Sequence, residues 1–107
     1  MKLTNKELEV MAVLWHSKVP MTTTEIINAS NNQTWKRDSI FIMMNTLLRK
    51  EAVIVKYRKA TASNTARAYE PLITSEKYVA QFIGSVQESG IDIDIDTLIQ
   101  YLKTPKE

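Results

Sequence analysis

The sequence contains no cysteine. That excludes a disulfide scaffold, a thiolate zinc site and a thiol nucleophile. Glycine occurs twice and proline three times in 107 residues, too few for a disordered or loop-dominated chain, so long helices are expected. No apolar run approaches the ~18 residues that a membrane span needs. The opening MKLTNKELEV enters a helical pattern directly, with no secretory apolar segment. The expectation is a cytoplasmic protein with no membrane partner. There is no glycine-rich phosphate loop, no HExxH and no nucleophile paired with a histidine, so the chain is not read as an enzyme and no cofactor is expected. The lone His16 sits near the end of the first helix, where a cation suits the helix dipole. Asp92, Asp94 and Asp96 lack the glycine turn and distal glutamate of a calcium loop. They are read as an acidic linker and helix cap, and no metal site is expected.

What is present is enough apolar material for one small core, 44% of the residues. The net charge of +2 hides a division. Residues 1–73 hold 11 Lys/Arg against 6 Asp/Glu, and residues 74–107 hold 3 against 6. The N-terminal part is suited to a polyanion and the C-terminal part is not.

The spacing predicts a first helix capped by Thr4 and Glu7, a capping-box pair, with Leu8, Met11, Leu14 and Trp15 toward a core. Val19-Pro20-Met21 is an extended link. Thr22 and Glu25 form a second capping box, and Ile26, Ile27 and Ala29 are the buried side of a second helix. After the polar loop Ser30–Gln33, a third helix runs from about Arg37 to Lys50, with Ile40, Met43, Met44, Leu47 and Leu48 as its apolar stripe. In the strand-like run VIVKYRK, Val53, Val55 and Tyr57 alternate with Ile54, Lys56 and Arg58. A small-residue turn leads to a return strand from Ala66 to Pro71. Thr74 or Ser75 caps a fourth helix, which Glu88-Ser89-Gly90 ends. IDIDID has strand period but is read as a linker into a fifth helix, capped by Asp94 and stopped by Pro105.

A helix leading into a two-stranded basic hairpin is the layout of a winged helix-turn-helix, in which the helix enters the DNA major groove. The fold expected is mainly α with a small β-hairpin: a winged-helix DNA-binding domain over 1–73, then a helical dimerisation region over 74–107. The apolar stripe Tyr78, Phe82, Ile83, Val86, Leu98, Ile99 and Leu102 needs a cover, and a homodimer supplies one.

The segments LTNKELEVMAVLW, VPMTTTEII, Trp35 to Ile40, TLLRKEAV and ARAYEPLITSEKY, in that order, resemble the penicillinase-repressor family of bacterial transcription regulators. The resemblance covers residues 3 to about 80. It implies a winged-helix repressor that binds an operator palindrome as a homodimer through its C-terminal helices. It leaves open an inducer, such as a signalling protease. The chain also departs from the family's pattern. Asp38 stands where a cation is common, and Thr46 stands where the family has an arginine. The Asn-Phe bond cleaved in the antibiotic-resistance repressors is absent, with Gln81-Phe82 the nearest dipeptide. The cysteine-rich tail of the copper-responsive members is absent too. The C-terminal region reads as short for the family's dimerisation region.

The residues read as meeting double-stranded DNA are Lys36, Arg37, Ser39, Ile42 and Asn45 on the third helix, and Arg58, Lys59 and Arg67 on the hairpin. Ser39, Ile42 and Asn45, three apart, are expected to share one face. Phe41 and Ile42 are open between thymine methyls, a protein partner and the core, with at least one of them assigned to the core. Trp35 is read as a staple on the third helix, its indole N–H within reach of a phosphate. The function expected is a sequence-specific DNA-binding repressor. The alternative is a winged-helix protein-interaction module, which Asp38, Phe41 and Ile42 favour.

Overall fold

The computed structural model describes residues 1–104. Both predicted capping boxes form. Thr4 accepts from the Glu7 N–H while the Glu7 carboxylate accepts from the Thr4 N–H, and this starts α1 (Asn5–His16). Thr22 and Glu25 start α2 (Thr23–Ala29) in the same way. A single 3-10 turn, Arg37–Ser39, leads into α3 (Ile40–Arg49). The hairpin pairs β1 (Val53–Ala60) with β2 (Thr65–Pro71), with Val53 opposite Pro71 and Arg58 opposite Arg67. Thr74 caps α4 (Ser75–Glu88), which stops at Gly90 with φ +92°. Asp94 caps α5 (Ile95–Lys103), so the IDIDID stretch is a linker as expected. The predicted stop at Pro105 lies outside the described residues.

The core forms where α1, α2 and α3 meet the base of the hairpin. Val10, Met11 and Leu14 from α1 pack with Ile26, with Ile40, Met44 and Leu47, and with Ala52 and Val53. Met43 and Leu48 flank the α3 stripe, half-buried, as its spacing predicted. Trp35 is buried just before α3. The link between α1 and α2 joins the sheet: Met21 and Tyr69 exchange backbone hydrogen bonds of 2.9 and 2.8 Å.

Four sequence expectations are corrected. Tyr57 is exposed, because a bulge between Val55 and Tyr57 adds a residue to β1 and breaks the alternation beyond it. Ala29 is exposed, because it is the last residue of a short helix and borders an open cleft. Phe41 and Ile42 are both exposed, at 64% and 71%, because Ile40, Met44 and Leu47 already fill the core side of α3. Neither belongs to the core. Finally, Tyr78 is buried within its own chain: its hydroxyl accepts from the Leu3 N–H at 3.2 Å, and its ring lies 6.2 Å from that of Trp15.

Tyr78 therefore fastens the first turn of α4 to α1, helped by the Trp15 indole N–H, which donates to the Ile73 carbonyl at 2.8 Å. Beyond this the chain extends away from the core. Its radius of gyration is 16.3 Å, against about 13 Å for a compact chain of this length. No residue of α5 is buried.

The end of α3 is tied to the start of α1. Lys50 donates to the Glu7 carboxylate at 2.6 Å and to the Lys2 carbonyl at 2.9 Å. Burial pushes the Glu7 carboxyl up. The Lys50 hydrogen bond and charge, with the Thr4 backbone and hydroxyl, outweigh it and hold the group below its ordinary value of 4.5. Stability from this site is complete above that ordinary value and is lost as pH falls through the lowered one. Glu7→Gln is expected to cost about 1–3 kcal/mol at neutral pH. Chemical denaturation across an acid series should show the gap from wild type closing below pH 4.5.

Candidate nucleic-acid interface

The outward side of α3 and the hairpin enclose a groove of about 520 Å³. Phe41 and Asn45, one helical turn apart, form its α3 wall. Arg58 and Arg67 stand on the hairpin wall, and Thr23 and Thr24 close the end at the start of α2. Arg58 and Arg67 are direct cross-strand partners. Like charges so placed repel. Neither has an acidic partner among the described residues.

The third hairpin cation is engaged differently. Lys59 donates to the Glu25 carboxylate at 2.8 Å. The hydrogen bond and charge of Glu25 raise the Lys59 ammonium above its ordinary value. The Lys59 hydrogen bond, followed by the Thr22 backbone N–H, lowers Glu25. The same carboxylate therefore caps α2 and tethers the hairpin to it. Lys56 lies 3.6 Å from Glu70, so it too is matched by an acid.

Lys36 and Arg37 are exposed at the turn that opens α3. Lys36 lines a second cleft with Lys6, Ser39, Ile42 and Thr46, on the side of α3 toward the start of α1. Ser39 is half-buried there, while Ile42 projects. The expected face of Ser39, Ile42 and Asn45 is thus split: Asn45 turns to the hairpin groove, and Ser39 and Ile42 to the other cleft. Thr46 donates to the Ile42 carbonyl at 3.0 Å and accepts from Arg49 at 3.1 Å. Sequence reasoning missed Thr23 and Thr24. Their signal was their place at the start of the helix that precedes α3, which in helix-turn-helix proteins crosses the DNA backbone.

Trp35 does not reach the surface. The residue is 3% exposed and its Nε1 is buried without a partner among the described residues. The indole N–H therefore cannot meet a phosphate, and Trp35 packs into the core as a staple before α3. Glu9 holds this segment by accepting from both the Thr34 N–H and the Thr34 hydroxyl.

Of the apolar stripe assigned to dimerisation, Tyr78 is taken up internally. Ile83, Val86 and Leu98 are half-buried, and Phe82, Ile99 and Leu102 are exposed. Among the described residues no helix is long and apolar enough to cross a membrane.

Three helices and a hairpin, with an exposed α3 beside a basic wing, define a winged helix-turn-helix protein with a C-terminal helical extension. The penicillinase repressor family matches residues 3–104, nearly the whole chain, and the chain belongs to that family. Its members are DNA-binding transcriptional repressors, regulators rather than enzymes. The match runs on through α4 and α5, past the point near residue 80 where the recognisable motifs stop. Among curated proteins, none matches the chain.

The orphaned indole N–H gives a direct test of the staple. Trp35→Phe removes a buried donor that has no partner, which offsets the lost ring volume. It should shift stability by less than about 1 kcal/mol, whereas Trp35→Ala should cost about 3–5 kcal/mol. Urea unfolding of the two variants checks both values.

Proposed function

We propose that this protein is a sequence-specific repressor that binds an operator palindrome as a homodimer. In this reading α3 enters the major groove and the hairpin lies along the backbone. The observation that carries it is the pair Arg58 and Arg67. They face each other with no acidic partner among the described residues, beside Asn45, and a polyanion would relieve their repulsion. Lys36 and Arg37 add charge where α3 begins, and unpaired backbone N–H groups there favour phosphate. Lys59 takes the part of a tether, since Glu25 already neutralises it.

The dimer is supported by the apolar surface of α4 and α5. Phe82, Ile95, Ile99 and Leu102 are exposed on helices that project from the core. A two-fold axis would let this one stripe cover itself. Phe82→Asp or Leu98→Asp should give monomers in sedimentation, because each would bury an unpaired charge. A wild type that is monomeric at micromolar concentration would refute the assembly.

The second reading is a protein-interaction module, favoured by the exposed Phe41 and Ile42. A salt titration of binding to duplex DNA separates the two. Arg58→Ala and Arg67→Ala should each lower the slope of log K against log salt by about 1, for all sequences alike. Lys59→Ala should leave the slope nearly unchanged. Wild-type binding without salt dependence would favour the interaction module.

A further inference from the structure

The middle of the outward side of α3 is apolar. Along the outward side of α3 stand Asp38, Phe41, Ile42, Asn45 and Arg49, all exposed. The two that project as large apolar groups are adjacent, at 64% and 71% exposure. Single exposed hydrophobes are ordinary. Here, however, the pair is framed by cations: Lys36 and Arg37 at the start of α3, Arg49 at its end, and Arg58 and Arg67 across the groove from Phe41. A polyanion drawn to that frame is pressed against Phe41 and Ile42.

We propose that Phe41 and Ile42 select thymine through its 5-methyl group, and that Asn45 pairs with an adenine edge beside it. This rests on the DNA-binding reading above. In the major groove guanine offers two acceptors and cytosine a donor, and a phenyl or butyl group laid on them leaves them unpaired. Thymine alone offers a methyl group. Asn45 lies one turn beyond Phe41 on the same groove wall, and a carboxamide matches the donor and acceptor of adenine. Phe41, toward the hairpin, and Ile42, toward the opposite cleft, cover thymines on the two sides of the helix axis.

The test uses the full chain and a duplex recovered by selection from random sequences. Each thymine of that duplex is replaced singly by deoxyuridine, which removes only the methyl group, and Kd is measured by fluorescence anisotropy. At one or more positions per half-site the wild type should lose about fourfold in affinity, the burial value of one methyl group. Phe41→Ala and Ile42→Ala should each erase the difference between thymine and uracil at its own position. Both side chains lie outside the core, so the variants should stay folded; the deoxyuridine series on the wild type decides the matter even if they do not. Equal binding of all thymine and uracil duplexes overturns the methyl reading while leaving DNA binding intact. Variants that keep full methyl sensitivity also overturn it. A selection that enriches no sequence overturns this inference together with the sequence-specific function on which it rests.

Discussion

Burial of Ile40, Met44 and Leu47 against α1 and α2 sets the rotation of α3 about its own axis. Each of these side chains has essentially no solvent exposure. Turning the helix would empty their sites, and a cavity of that size costs several kcal/mol. With the inner stripe held, Phe41, Ile42, Asn45 and Arg49 have nowhere to go but outward. Both ends of the helix are held as well. Trp35 packs before its start. At its end the Ala52 N–H returns to the Leu47 carbonyl at 2.9 Å and the Glu51 N–H to Leu48 at 3.1 Å. The Lys50–Glu7 contact adds a third restraint, reaching the first turn of α1. The surface offered to a partner is rigid because the opposite surface is packed.

The same economy governs the charges. Glu7 and Glu25 each close a capping box with one oxygen and engage a lysine from a distant element. Lys50 and Lys59 are therefore structural cations, one at the base of α3 and one on the hairpin. Around the outward side of α3, Lys36, Arg37, Arg49, Arg58 and Arg67 have no acidic partner among the described residues. A basic composition alone says little about binding. The division between matched and unmatched cations says more, because a matched cation must give up its acid before it neutralises a phosphate.

The C-terminal helices obey a different constraint. Tyr78 and Ile73 secure the first turn of α4 to α1, and the chain then leaves the core behind. Glycine ends α4 in a left-handed conformation and Asp94 restarts the helix, so α5 is well formed without burying any residue. Local capping can define a helix that has no tertiary partner, and it leaves the apolar stripe of α5 uncovered.

How much of this was legible beforehand follows from distance along the chain. The two capping boxes, the stripe from Ile40 to Leu48, the glycine stop and the Asp94 cap all act within a few residues, and the sequence alone determined them. The hairpin and its place after α3 were legible for the same reason. Its bulge was not, because an extra residue leaves no mark in composition, and it turned Tyr57 outward. The contacts that build the candidate site span far more chain: 34 residues from Lys59 to Glu25, 43 from Lys50 to Glu7 and 75 from Leu3 to Tyr78. Which lysine is free, which tyrosine is buried and which face of α3 is bare depend on how the elements pack. A one-dimensional pattern gives the period of an apolar stripe, but only the packed core decides how wide that stripe is. That width left Phe41 and Ile42 outside.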